Sequence, residues 1–260
     1  MISAASLPAL LPFDGTALGC RILAAAAAYG VKDPEMPIWT GDRFALLQTG
    51  STLLLAGRAS DPEELESFVR FSGAQTLVCN AASALSGFPV VETGAAMRLE
   101  RPPETDLPDG CAFRLLDGTP RPADPRLADF YALLVDCTDP ALHFAAPPFA
   151  DFYTDTHLRI RRKSRVAACL LRGGRVDACV FADLSPSCAF LFSGAVRPDF
   201  RRCRAFAAML TALLPHLHGR RVFLFCVEAL CSHYAAMGFA RTGSFALQPT
   251  CQEGNANGKN

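Results

Sequence analysis

Apolar residues change their spacing several times along the chain, and each change predicts an element. In RFALLQTGSTLLLAG, residues 43–57, two apolar runs broken at Thr49-Gly50 predict a hairpin. A helical stripe follows, with Leu65, Phe68 and Val69 on one side up to Ser72-Gly73. Pro62 suits its first turn, and Ser60 with Glu63 forms a capping pair. QTLVC at 75–79 predicts the next buried strand. Strand, strand, helix and strand make a small α/β or α+β layer.

Periodicity stops in RLERPPETDLPDG, residues 98–110, a Pro-rich and acidic stretch read as a linker between domains at 1–105 and 111–248. Beyond it CAFRLL predicts a strand, RLADFYALLVD a helix, and PPFADFYTDTHLRIRRK a second helix entered at Pro147 and Pro148. RVAACLLRGG and RVDACVFADLSP read as a hairpin turning at Gly173-Gly174. SCAFLFSGAV is a strand, residues 200–217 a helix, RRVFLFCV a buried strand and EALCSHYAAM a short helix leading into GFARTGSFALQ. The strands SCAFLFSGAV and RRVFLFCV are apolar nearly throughout, so they need cover on both faces. The helix between them predicts a parallel crossover. Residues 249–260, ending EGNANGKN, read as a disordered tail.

Half of the 260 residues are hydrophobic, enough for a substantial core, and the formal net charge is zero. That balance gives no electrostatic reason to expect nucleic acid or an anionic membrane as partner, leaving a small molecule as the expected one. Self-association into a homodimer is compatible with the chain. Eleven cysteines lie between Cys20 and Cys251 without a CxxC pair, so they are expected as reduced thiols in a cytoplasmic protein. LAAAAAYG at 23–30 is too short to span a bilayer.

Chemistry concentrates at VRPDFRRCRAF, residues 196–206, where four arginines crowd the passage from a buried strand to a helix. Free N–H groups at a helix start with cationic side chains beside them make an anion site, and a solvated basic turn is the plain alternative. The segment and its surroundings resemble the GCN5-related N-acetyltransferase (GNAT) superfamily. In that family a strand ending Val-x-Pro-x-Tyr/Phe precedes Arg/Gln-x-x-Gly-x-Gly/Ala and, later, a Tyr-x-x-x-Gly-Phe segment. Val196, Pro198 and Phe200 fit the first part, and Tyr234, Gly238 and Phe239 the last. The middle departs. One frame puts Arg204 and Phe206 where glycines belong, and the other reads Arg202-x-x-Ala205-x-Ala207. The first half resembles the front of a second, shortened GNAT-like unit lacking the phosphate loop, with a generic α/β lid or dimerisation domain as the alternative.

The resemblance implies an α/β (α+β) fold with a mixed sheet flanked by helices, and acetyl-CoA as cosubstrate. It implies backbone contacts to pantetheine and acetyl group from Gly194, Ala195 and Val196, and phosphate contacts around Arg201, Arg202, Arg204 and Ala205. Tyr234 falls where the family places the thiolate's proton donor, against a packing role, and Glu228 is the candidate base, against a helix-dipole role. Asp151 and Asp155, with His157 after them, are candidates for amine recognition or for ion pairs with the following arginines. Arg159, Arg161, Arg162, Lys163 and Arg165 read as a solvated helix end, and His216, His218 and His233 as structural. Cys203 among arginines is a distant nucleophile candidate. The function so implied is acetyl-CoA-dependent N-acetylation of a small amine or amino-acid-like acceptor, the alternative being a catalytically degenerate binding or regulatory module.

Overall fold

The computed structural model describes residues 1–140 and 145–251, with Arg202 described by its backbone alone. Most of the expected tail, residues 252–260, lies outside the described residues. The first half runs β1 (Ser3–Ala4), α1 (Leu7–Leu10), α2 (Ala17–Tyr29), β2 (Ile38–Gly41), β3 (Phe44–Thr49), β4 (Thr52–Gly57), α3 (Pro62–Phe71), β5 (Thr76–Asn80) and β6 (Glu92–Leu99). The second runs β7 (Cys111–Leu116), α4 (Leu127–Asp136), α5 (Phe149–Arg161), β8 (Arg165–Arg172), β9 (Arg175–Leu184), β10 (Cys188–Val196), α6 (Ala205–Leu213), β11 (Arg221–Cys226), α7 (Cys231–Ala235) and β12 (Phe239–Pro249).

All these strands join one mixed sheet in the order β1-β2-β3-β4-β5-β12-β6-β11-β10-β9-β8-β7. From either end, five strands in sequence lead to two central ones, and the central two have changed places. β12 lies between β5 and β6, and β6 lies between β12 and β11. The helices repeat as well. α1 and α2 precede β2 as α4 and α5 precede β8, while α3 and α6 each cross between parallel neighbours, β4 to β5 and β10 to β11. The first half is therefore the shortened repeat of the second, and each half donates its last strand to the other.

One face of the sheet carries α3 and α6, and the other α2, α4 and α5. Ten of the 13 residues of α2 are buried. Its alanines let it lie close to β3 and β4 of its own half and to β9 and β10 of the other. Among the described residues no helix is long and apolar enough to cross a membrane.

Some local expectations need correction. Asp61, not Ser60, caps α3 by accepting from the Glu64 N–H at 3.0 Å, because Pro62 places the first helical residue one position later. The single helix expected over 200–217 is a 3₁₀ turn at Pro198–Cys203, then α6, then a second 3₁₀ turn at Leu214–Leu217. Arg159 and Arg165, read as solvated, are buried among Asp155 and Asp183.

Candidate active site

β10 and β11 pair in parallel only from Cys188↔Arg221 to Leu191↔Leu224. Beyond Leu191 the strands part. Ser193 takes a left-handed conformation, φ 49°, and the register of β10 against β9 slips between Phe192 and Ala195. Such a bulge bends a strand away from its neighbour and leaves backbone groups without a ladder partner. The gap opens a cavity of about 740 Å³ lined by Phe192–Val196 of β10, by Leu224–Val227, by the start of α6 and by α7.

This brings together most of the residues singled out in the sequence. Gly194, Ala195, Val196, Arg201, Arg204, Ala205 and Tyr234 all line the cavity. Arg204 stands immediately before α6 with φ 55°, ψ 24°, a conformation that glycine adopts at no steric cost. In the motif frame beginning at Arg201, Arg204 stands at the first glycine position. Phe206 occupies the second, and its ring fills the space in front of Gly194, where an added Cβ would meet it at 2.8 Å. Gly194 is thus tied sterically to Phe206. Ala205 faces the core behind α6.

The arginines of the turn divide by role. Arg197 pairs with Asp136 and Asp177 and fastens the turn to α4 and β9. Burial pushes the Asp177 carboxyl up, but hydrogen bonds from Arg175 and Arg172 outweigh it and hold the group below the usual carboxylate range. Arg201 donates through Nε to the Val196 carbonyl at 3.1 Å, lies beside the Cys137 thiol and lines the cavity, as does Arg204. Of the Arg202 side chain, which lies outside the described residues, no contact is assigned.

Tyr234 sits between Phe206 and Phe239, with ring centroids at 6.2 and 5.8 Å. Removal from water, with a smaller contribution from Cys226, pushes its hydroxyl up to about 12, so it stays protonated at neutral pH. Among the described residues its hydroxyl has no hydrogen-bond partner. Gly238, with φ 90°, ends the α7 segment and accepts from the Glu100 and Arg101 N–H groups; a Cβ there would collide with the Arg101 carbonyl.

Other candidates fall elsewhere. Glu228 is exposed and pairs with Arg241 at 2.7 Å, outside the cavity lining. Asp155 is held by Arg159, Arg165 and the Tyr29 hydroxyl on the far side of β8 and β9. His157 stacks on Tyr153, and His216 on Phe113. Cys203 is exposed and donates to the Phe200 carbonyl. His233, taken as structural, lines the cavity, as does Glu92 of β6. Nothing in the sequence signalled Glu92, because β6 reaches the site only through the strand exchange.

In the first half Gln248 of β12, opposite Leu77 of β5, bonds the Leu85 N–H and the Leu85 and Phe88 carbonyls, and Asp61, Glu63 and Glu64 gather at the start of α3. Carboxylates there already satisfy the helix start and repel phosphate.

A sheet whose parallel central strands part beside a helix start, with a bulge on one and a Tyr-x-x-x-Gly-Phe segment after the other, is the GNAT fold, here in two copies. Solved structures agree over most of the chain. A tandem GNAT protein from the clavulanic acid biosynthesis pathway aligns with a TM-score of 0.57 at 14% identity, over 97% of this chain and 99% of its own. A GCN5-related N-acetyltransferase from Kribbella flavida aligns at 0.57 and 13%, over 88% and 95%. One from Sphaerobacter thermophilus aligns at 0.55 and 14%, over 95% and 94%. No family model and no curated protein matches the sequence.

Proposed function

We propose that the chain is an acyl-CoA-dependent N-acyltransferase that uses acetyl-CoA and a small amine, with its active site in the cleft of the second half. The observation that carries this reading is the parting of β10 from β11 beside the arginine-lined start of α6. Coenzyme A suits these residues. Its extended, amide-bearing arm matches a strand edge that has no ladder partner on the β11 side beyond Leu191. Its phosphates match Arg201, Arg204 and the free N–H groups of the first turn of α6. Arg204 has a left-handed backbone that glycine adopts at no steric cost, and Phe206 makes the passage between Gly194 and Tyr234 a narrow one. When bound, acetyl-CoA supplies an activated acyl carbonyl. The chain's part is to align that group along the β10 edge, to exclude water with Phe206, Leu230 and Met237, and to hold a proton on Tyr234 Oη for a departing thiolate.

Acetyl-CoA at 100 times its Kd is expected to stabilise the protein by about 2.7 kcal/mol, read as a rise of several degrees in Tm. Arg201→Ala with Arg204→Ala is expected to remove most of that rise, while Lys163→Ala leaves it intact. No rise at millimolar acetyl-CoA overturns the reading. A rise without turnover on any amine points instead to a binding module.

A further inference from the structure

We infer that Arg101, at the end of the first half, is a specificity-determining residue for the cosubstrate: with Arg204 it holds the 3′-phosphate on the ribose of coenzyme A. The inference rests on the acyltransfer reading for the identity of the ligand, and it adds a residue that lies outside every motif position.

The connector between the halves is anchored where it leaves β6. The Glu100 and Arg101 N–H groups donate to the Gly238 carbonyl at 2.9 and 3.2 Å, and the lack of a side chain at Gly238 admits the Arg101 carbonyl against it. Pro102 and Pro103 follow, with fixed φ and no N–H to satisfy. Pro103 is buried, and its carbonyl accepts from Thr211 Oγ1 of α6 at 2.7 Å. Arg101 is thereby held beside both α6 and the end of α7. A second hollow, of about 440 Å³, lies there between the connector at 101–104, Arg204 and residues 235–238. It shares Arg204, Ala236 and Met237 with the main cavity and so continues that cavity past the start of α6.

Pairing separates Arg101 and Arg204 from the arginines around them. Arg98 is neutralised by Glu100, Arg172 by Asp177 and Asp199, and Arg197 by Asp136 and Asp177. Among the described residues the side chains of Arg101 and Arg204 make no hydrogen bond or ion pair, and with the exposed Glu104 they give the lining of the second hollow a net positive charge. Two unpaired guanidinium groups on one hollow suit a phosphate dianion, which each can bind through a pair of N–H donors. In the acyltransfer reading the thioester lies by Tyr234 and the diphosphate by Arg201 and Arg204. The next part of coenzyme A along the same path is the nucleotide with its ribose phosphate, and that path leads to Arg101. The consequence is a preference for thioesters of the whole coenzyme over those of bare phosphopantetheine, set by a residue of the first half.

Calorimetric titration of coenzyme A and of dephospho-coenzyme A, which lacks only the 3′-phosphate, tests the assignment. The wild type is expected to bind coenzyme A at least about tenfold tighter, as for hydrogen bonds between charged groups. Arg101→Ala is expected to remove most of that preference without weakening the binding of dephospho-coenzyme A. Arg58→Ala, a change at an exposed arginine outside both cavities, is expected to leave the preference intact. Equal affinities for the two ligands in the wild type overturn the inference and leave the acyltransfer reading in place, as does a preference that survives Arg101→Ala undiminished. Should that variant fail to fold, Arg101→Gln takes its place under the same criteria. Failure of the wild type to bind either ligand overturns the acyltransfer reading and this inference with it.

Discussion

At the scale of single residues, the site combines motif positions that match the family pattern with others that depart from it. Tyr234 matches, with a hydroxyl that stays protonated and a ring set between Phe206 and Phe239. With an identified amine, Tyr234→Phe is expected to slow acetyl transfer on the order of 10²-fold while the affinity for acetyl-CoA, measured by calorimetry, changes little. Equal rates for variant and wild type would return Tyr234 to a packing role. Arg204 departs from it, with a left-handed backbone that glycine would adopt at no steric cost. The sequence made the two ends of the motif legible because Val196, Pro198, Gly238 and Phe239 are local signals. It left the middle open, because one frame puts Arg204 and Phe206 at the glycine positions while the other, one residue on, puts Ala205 and Ala207 there. Glu228 and Glu92 show the other limit. A glutamate at a helix start looks catalytic in sequence when it follows a buried strand, yet its side chain reaches Arg241 at the surface. The carboxylate that does line the cleft lies in a segment with no motif at all.

At the scale of elements, β10, β11 and the crossover helix between them were readable because nearly unbroken apolar runs bounded by turns imply strands covered on both faces. β6 and α2 were not. The segment ETGAAMRL has small residues at its centre and no alternation, since its two faces are both covered by the exchanged sheet. α2 lacks a polar stripe because strands of both halves surround it, so the amphipathic pattern that marks a surface helix is missing. One ion-pair group joins these elements: Tyr29 of α2 and Arg159 and Arg165 of the second half all meet Asp155. Burial pushes the Asp155 carboxyl up, but Arg165 and Arg159 outweigh that and hold it at about 2. The unfolded value is about 3.9, so this group's stabilisation is complete above about pH 4 and is lost as pH falls through about 2. Asp155→Asn is expected to lower Tm at pH 7 by on the order of 5 °C, because two buried guanidinium groups lose a partner. It is also expected to flatten the loss of stability between about pH 4 and pH 2 in acid titrations followed by circular dichroism. An unchanged acid limb would show that Asp155 does not govern it.

At the scale of the whole molecule, the boundary drawn at the Pro-rich linker follows composition, while the sheet runs across it. Residues 106–251 produced alone lack β6, leaving the outer edge of β11 unpaired and the cleft without one wall. They are expected to give no cooperative thermal transition and no acetyl-CoA binding, and co-production with residues 1–105 is expected to restore both. Cooperative unfolding and coenzyme binding by 106–251 alone would refute this. The reciprocal loan of β6 and β12 also has a consequence for descent. Two copies that trade their final strands resemble a strand-swapped pair joined into one chain, and once joined, neither copy can drift or be discarded by itself. The first copy has Asp61, Glu63 and Glu64 at the start of its crossover helix, yet its last strand, β6, walls the cleft of the second.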